Sequence, residues 1–145
     1  MTIAKVYKII GGKPAVGLPV RTQLDLHAAI QQGFRLQAAQ HVKESLQLTE
    51  AELAQSLGVS AKTLQRIAKE DEPHLTAAMS DRLYRIARIM AFAQEVFENT
   101  ERAYTWLREP QRGLGNRTPF SLLESEAGAR EVEDLLGRLE YGVYT

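Results

Sequence analysis

Residues 50–69 read EAELAQSLGVSAKTLQRIAK, and this stretch decides the fold. A helix-turn-helix brings two short helices together at close to a right angle through a turn of about three or four residues. That geometry requires a small residue where the helices touch, a residue tolerant of positive φ in the turn, and apolar side chains at the crossing. Ala54 supplies the first, and Gly58, with no Cβ to oppose a left-handed backbone, supplies the second. Leu53, Leu57, Val59, Leu64 and Ile67 fill the apolar positions, and no proline interrupts either helix. Thr49 and Glu52 form a capping box that opens the first helix: the hydroxyl accepts from the backbone of residue 52 while the carboxylate reaches back. Ser60 takes the N-cap role for the second, which runs from Ala61 to the neighbourhood of Lys69.

The outward positions of that second helix are Ser60, Lys62, Thr63, Gln65, Arg66 and Lys69. A helical hairpin that binds nothing would share the caps and the glycine, but it would not explain why every one of these side chains can bond a phosphate or a base edge, with no acid among them. The partner they point to is double-stranded DNA. Ser60 and Lys69 are placed to hold phosphates and set register. Lys62, Thr63, Gln65 and Arg66 are placed for base readout in the major groove, where the N-terminal part of a recognition helix enters. By bidentate geometry Gln65 suits adenine and Arg66 suits guanine. One such helix reads only a short half-site, so specific binding predicts a dimer on a two-fold-related operator.

Outward from the motif the chain reads as helical throughout, except at its start. Residues 1–21 carry Lys5, Lys8, Lys13 and Arg21 with no acid, punctuated by Gly11, Gly12, Pro14, Gly17 and Pro19. This composition predicts an irregular or extended arm, in which Ile3, Val6, Ile9 and Ile10 form a short strand or dock on a neighbour. Leu24, Ala28 and Ile30 precede a break at Gly33, and Leu36, Ala39, Val42 and Leu46 then repeat at the spacing of one helix face. After Asp71-Glu72-Pro73, Ser80 is read as the cap of a helix over residues 81–98 with Leu83, Ile86, Ala87, Met90, Ala93 and Phe97 inward. Asn99-Thr100 reads as a stop followed by a new cap that opens a short helix through Trp106 and Leu107, with Trp106 read as core. Thr118-Pro119 looks like a cap with proline at the first helical position. Ser125 caps a last helix with Val132, Leu135, Leu136 and Leu139 inward. The fold class is all-α, in three parts: an arm (1–21), a helix-turn-helix region (22–76) and a helical C-terminal domain (77–145). Arg82, Arg85 and Arg88, at i, i+3 and i+6, form a stripe that reads as a solvated face with weak local ion pairs, or else as a contact for phosphates or a partner's carboxylates.

Composition excludes several classes of function. The 145 residues are 44% hydrophobic and 25% charged, the balance of a globular protein. With no cysteine there are no disulfides, thiolate metal sites or thiol nucleophiles. His27, His41 and His74 have no partner at metal-ligand spacing on one helix. Gly113-Leu114-Gly115 lacks the strand and third glycine of a dinucleotide site. No set of residues assembles a nucleophile, base and oxyanion donor, so neither an enzyme nor a cofactor is expected. The apolar stretch from Ile3 to Ile10 holds Lys5 and Lys8 and is too short for a signal peptide, and no run approaches the roughly 20 apolar residues of a membrane span, so the cytoplasm is the expected compartment. Net charge is zero, yet residues 1–117 hold 16 basic and 12 acidic residues while residues 118–145 hold 2 and 6. That asymmetry suggests two surfaces with different partners, one of them anionic.

The second half carries landmarks of its own: SDRLYRIARI at 80–89, AYTWLREP at 103–110, GLGNRTPFSLLESEAG at 113–128 and VEDLLGRLEYGV at 132–143. In this order and spacing the sequence resembles the Xre/MbcA/ParS antitoxins, helix-turn-helix proteins with a C-terminal toxin-binding domain. The resemblance covers residues 28–143, and the first twenty or so residues carry none of its landmarks. It implies the antitoxin of a type II toxin–antitoxin system, partnered with a RES-domain toxin that depletes NAD+. It further implies that the C-terminal domain blocks the toxin's active site, and that the complex represses its own operon. The assembly expected is a homodimer or a higher-order toxin–antitoxin heteromer. On that analogy Tyr141, Gly142, Val143 and Tyr144 enter or cover the toxin's NAD pocket. The residues alone leave two choices, since a tail with two aromatic rings can anchor an interface or fold back on its own helix. The alternative for the whole chain is a plain helix-turn-helix repressor whose C-terminal half dimerises or senses a small molecule.

Overall fold

The computed structural model describes residues 3–142. Among them are nine α-helices, two 3-10 turns and two isolated antiparallel bridges, Arg35 with His74 and Gln111 with Arg117. The chain forms two compact units that divide between Ala87 and Arg88. The boundary therefore lies inside a long helix, and not ahead of it at residues 76–77 as the loop signals suggest.

The first unit holds α1 (Ile3–Ile10), α2 (Lys13–Val16), α3 (Gln23–Gln32), α4 (Leu36–Leu46), α5 (Glu50–Leu57), α6 (Ala61–Ala68) and the first part of α7 (Ala77–Phe97). Its hub is α4, against which α1, α2 and α5 all pack. Leu36, Ala39, Val42 and Leu46 are buried as their spacing requires, together with Ala38. Each large aliphatic side chain taken fully out of water contributes about 1.5–3 kcal/mol, so burial of Leu36, Val42 and Leu46 helps to hold the unit together.

The N-terminal segment is not an irregular arm. Residues 3–10 are helical, with Val6 and Ile10 buried and α1 lying on α4. The glycines and prolines that suggest disorder act as punctuation: Gly12 precedes α2, Pro14 sits in its first turn and Gly17 ends it. The segment is also bonded in place. The Tyr7 hydroxyl donates to the Leu18 carbonyl at 2.8 Å, the Arg35 N–H donates to Ala15 O at 2.9 Å, and Arg35 Nη1 donates to Pro14 O at 3.0 Å. In α3 the inward residues are Leu26 and Ala29, while Leu24 is 79% exposed.

The opening of α7 also differs from expectation. Ser80 does not cap it. The Thr76 hydroxyl accepts from the Met79 N–H at 3.1 Å, so the helix starts a turn earlier and Ser80 lies fully buried within it. The inward face otherwise follows the sequence, with Leu83, Ile86, Ala87, Met90 and Ala93 buried and Phe97 half-buried.

The second unit contains the end of α7, α8 (Thr100–Arg108), 3-10 turns at Arg112–Leu114 and Phe120–Glu124, and α9 (Glu126–Glu140). The cap of α8 is Asn99, accepting from the Arg102 N–H at 2.9 Å, so Thr100 is the first helical residue and not the cap. Trp106 is half-buried, its ring 5.5 Å from that of Phe97, so it lines the core without being enclosed by it. Thr118 opens a 3-10 turn and Ser125 caps α9, accepting at 3.2 and 3.0 Å from Ser121 and Gly128. The first turn of α9 lies so close to the preceding turn that a Cβ at residue 128 would collide with the Leu122 carbonyl, which leaves room only for glycine. Ala129, Val132, Leu135 and Leu136 are buried, and Leu139 is half-buried.

Candidate functional site

The helix-turn-helix forms between α5 and α6. Its capping box is complete: the Glu52 N–H donates to Thr49 Oγ1 at 3.1 Å and the Thr49 N–H donates to Glu52 Oε1 at 3.0 Å. This fixes the start of α5, to which α4 is tied by the 2.6 Å ion pair of Lys43 with Glu50. Gly58 ends α5 in the left-handed conformation, φ 75° and ψ 25°, and its N–H donates to the carbonyls of Ala54 and Gln55. Leu53, Ala54, Leu57, Leu64 and Ile67 are buried at the crossing and Val59 is half-buried.

On α6 the six sequence-predicted residues separate into two groups. Lys62, Gln65, Arg66 and Lys69, at i, i+3, i+4 and i+7, are exposed along one stripe opposite buried Leu64 and Ile67. Ser60 and Thr63 stand apart at the helix start. The Thr63 N–H donates to Ser60 Oγ at 3.1 Å, and the two hydroxyls are 3.0 Å apart. Thr63 is half-buried, so its hydroxyl belongs to the cap as much as to the outward face. A helix 8 residues long with two cations and an amide near its middle can seat on an anionic groove while its opposite side remains in the core.

Two features near this motif could not be placed there from the sequence. Arg82 of α7 lies against the turn: a methyl group placed on Gly58 would stand 2.8 Å from Arg82 Cζ. An open groove of about 620 Å³ borders the end of α6 at Ala68, walled by Gln32, Gln37, Gln40 and His74. Its walls come from segments distant in sequence, and no local pattern marks them.

In the second unit, Arg88 donates to Glu126 Oε1 at 2.7 Å and to Glu133 Oε1 at 2.8 Å. The arginine stripe is thus not a uniform solvated face. Arg82 meets the turn, Arg85 lies 3.8 Å from Asp81, and Arg88 holds the start of α9. Beyond α9, Tyr141 is 82% exposed and Gly142 is also exposed, while Val143 and Tyr144 lie outside the described residues.

Comparison with known proteins places both units. Residues 25–88 match the antitoxin Xre-like helix-turn-helix domain, and residues 92–142 match the antitoxin Xre/MbcA/ParS C-terminal toxin-binding domain. The chain is 36% identical over 131 residues to the antitoxin Xre of Yersinia enterocolitica serotype O:8 / biotype 1B, covering 90% of this chain and 88% of that protein.

The chain belongs to the Xre antitoxin family.

Two further antitoxins Xre are similar over most of their length. That of Photorhabdus laumondii is 29% identical, covering 88% of this chain and 86% of the relative. That of Pseudomonas putida is 31% identical, covering 83% and 74%. The family's two domains fall on either side of residues 89–91, close to the division between the compact units of this antitoxin. Among the described residues no helix is long and apolar enough to cross a membrane, and no group of three or more histidine, aspartate or glutamate side chains is arranged to hold a metal ion.

Proposed function

We propose that this antitoxin neutralises a RES-domain, NAD+-depleting toxin by occluding its active site, and that it represses its own operon by binding operator DNA. It works by contact, without catalysis or cofactor, in the cytoplasm. The observation that carries the reading is the exposed stripe of Lys62, Gln65, Arg66 and Lys69 on α6, in a chain whose other unit matches a toxin-binding domain. Ser60 and Lys69 hold phosphates, and Lys62, Thr63, Gln65 and Arg66 reach base edges. The antitoxin acts as a dimer, alone or within a larger complex with the toxin, since one α6 reads only a half-site.

The second partner is met by the C-terminal unit. Arg130 and Asp134 are exposed on α9, and Tyr141 is exposed at its C-cap. An exposed tyrosine has apolar area to bury on a partner, and aromatic anchors of this kind dominate interface energetics. Tyr141, Gly142, Val143 and Tyr144 enter or cover the NAD pocket.

The test is NAD+ consumption by the protein encoded beside this gene, titrated with full-length antitoxin and with a form lacking residues 141–145. Inhibition that weakens without the tail is expected. An active neighbour untouched by folded full-length protein would sink the pairing.

A further inference from the structure

Beside the exposed turn between α5 and α6 stands a side chain that belongs to neither helix. Gly58 has no side chain and a positive φ of 75°, so its backbone is held by its hydrogen bonds and by whatever lies on its open side. Arg82 lies there. A methyl group at residue 58 would stand 2.8 Å from Arg82 Cζ and Nη1 and 3.2 Å from Nε, all three atoms of one guanidinium face.

We infer that Arg82 is a positioning residue for DNA binding, its flat guanidinium standing in for the side chain that Gly58 lacks and holding α6 at its angle to α5. The inference rests on the operator-binding reading above and adds to it a residue outside the helix-turn-helix. Three considerations support it. The guanidinium is a planar, delocalised plate, suited to lie against a backbone where a lysine ammonium would seek water. It lies at the C-terminal end of α5, where a cation is favoured by the helix dipole. Finally, the geometry magnifies small errors. α6 is 8 residues long, about 12 Å. A tilt of about 10° at the turn therefore moves its far end by about 2 Å, beyond the spread of hydrogen-bond lengths. Loss of the plate blunts base readout before it loosens general attraction to phosphate.

The experiment measures binding of the full chain, as a function of salt, to the duplex upstream of its own gene and to a scrambled duplex of equal composition. Wild type is compared with Arg82→Ala and Arg82→Lys, below each protein's melting temperature. Arg82→Ala is expected to lose about tenfold in preference for the upstream duplex, the loss of roughly one base contact, with the salt slope unchanged. Arg82→Lys keeps the charge without the plate and loses preference similarly. It also serves as the second variant should Arg82→Ala fail to fold. Unchanged preference in a folded Arg82 variant, or full preference in Arg82→Lys, overturns the inference. So does a salt slope smaller by about one, which marks a direct phosphate contact. A wild-type protein that does not distinguish the two duplexes instead overturns the operator-binding reading itself.

Discussion

Ser80 Oγ, fully buried within α7, accepts the backbone N–H of Phe34 at 2.8 Å across 46 positions of sequence. Phe34 is itself fully buried at the junction of α3 and α4, so no water can replace the bond. Leaving a buried donor unsatisfied costs about 1–3 kcal/mol. Ser80→Ala should destabilise the chain by that amount in urea unfolding, with the slope unchanged. A loss below about 0.5 kcal/mol, the scatter of ordinary surface substitutions, would mean that the bond is dispensable.

The ion pairs of Arg88 give a second prediction. Its side chain is 16% exposed, against 42% for Glu126 and 28% for Glu133. Arg88→Met removes the cation and leaves two carboxylates facing an apolar stem. With Glu126 more than a third exposed the cost falls below that of a fully buried pair, at about 1–2 kcal/mol. Glu133→Gln should cost less, since one partner remains. Unfolding followed by Trp106 fluorescence, which reports on the same unit, measures both. Equal stability of Arg88→Met and wild type would mean that the pairs make no net contribution.

These two side chains also show where sequence reading stops. Ser80 precedes an apolar helical pattern and has the identity of a cap, and nothing local says that Thr76 starts the helix and leaves Ser80 to another element. Arg82, Arg85 and Arg88 have the spacing of one stripe, which fixes their side of the helix but not what covers it. Short-range features were legible: the Thr49–Glu52 box, Gly58, the Ser60 and Ser125 caps, and the inward faces of α4, α7 and α9 all depend on residues within one or two turns. The α6 stripe was legible for the same reason. The N-terminal segment was misread because its glycines and prolines are loop signals by composition, whereas α1 is fixed by burial of Val6 and Ile10 on a helix 30 positions away.

The N-terminus of α3 should respond to acid. Asp25 Oδ2 accepts from the backbone N–H groups of Arg21 and Thr22 at 3.0 and 3.1 Å, and these bonds hold its carboxyl below the usual aspartate value. A native value lowered in this way adds stability that is fully present above the unfolded-state value and is lost as pH falls through the native one. Hydrogen exchange at the α3 amides should therefore accelerate on acidification through that window. Asp25→Ala should show faster exchange already at neutral pH and a flatter response below it. A variant with the wild-type acid response would assign the effect to another carboxylate.

The exposed stripe of α6 allows phosphate contacts to be separated from base contacts by salt. Lys69 lies at the C-cap of the helix and is exposed, so Lys69→Ala should weaken binding to any duplex and reduce the salt slope by about one. Gln65 and Arg66 lie mid-helix, and replacing either with alanine should cost about 1–3 kcal/mol on the operator and relax preference at one base position. Ser60→Ala is a mixed case. It removes a hydroxyl that accepts from the Thr63 N–H, so it should lose about 1 kcal/mol of stability as well as affinity. All four are measured by titration at several salt concentrations against operator and scrambled duplexes, with melting curves in parallel. The other three lie on the exposed face and should melt as wild type does. If Gln65→Ala and Arg66→Ala weaken both duplexes equally, α6 binds the backbone alone, and sequence is read by another element or through the shape of the DNA.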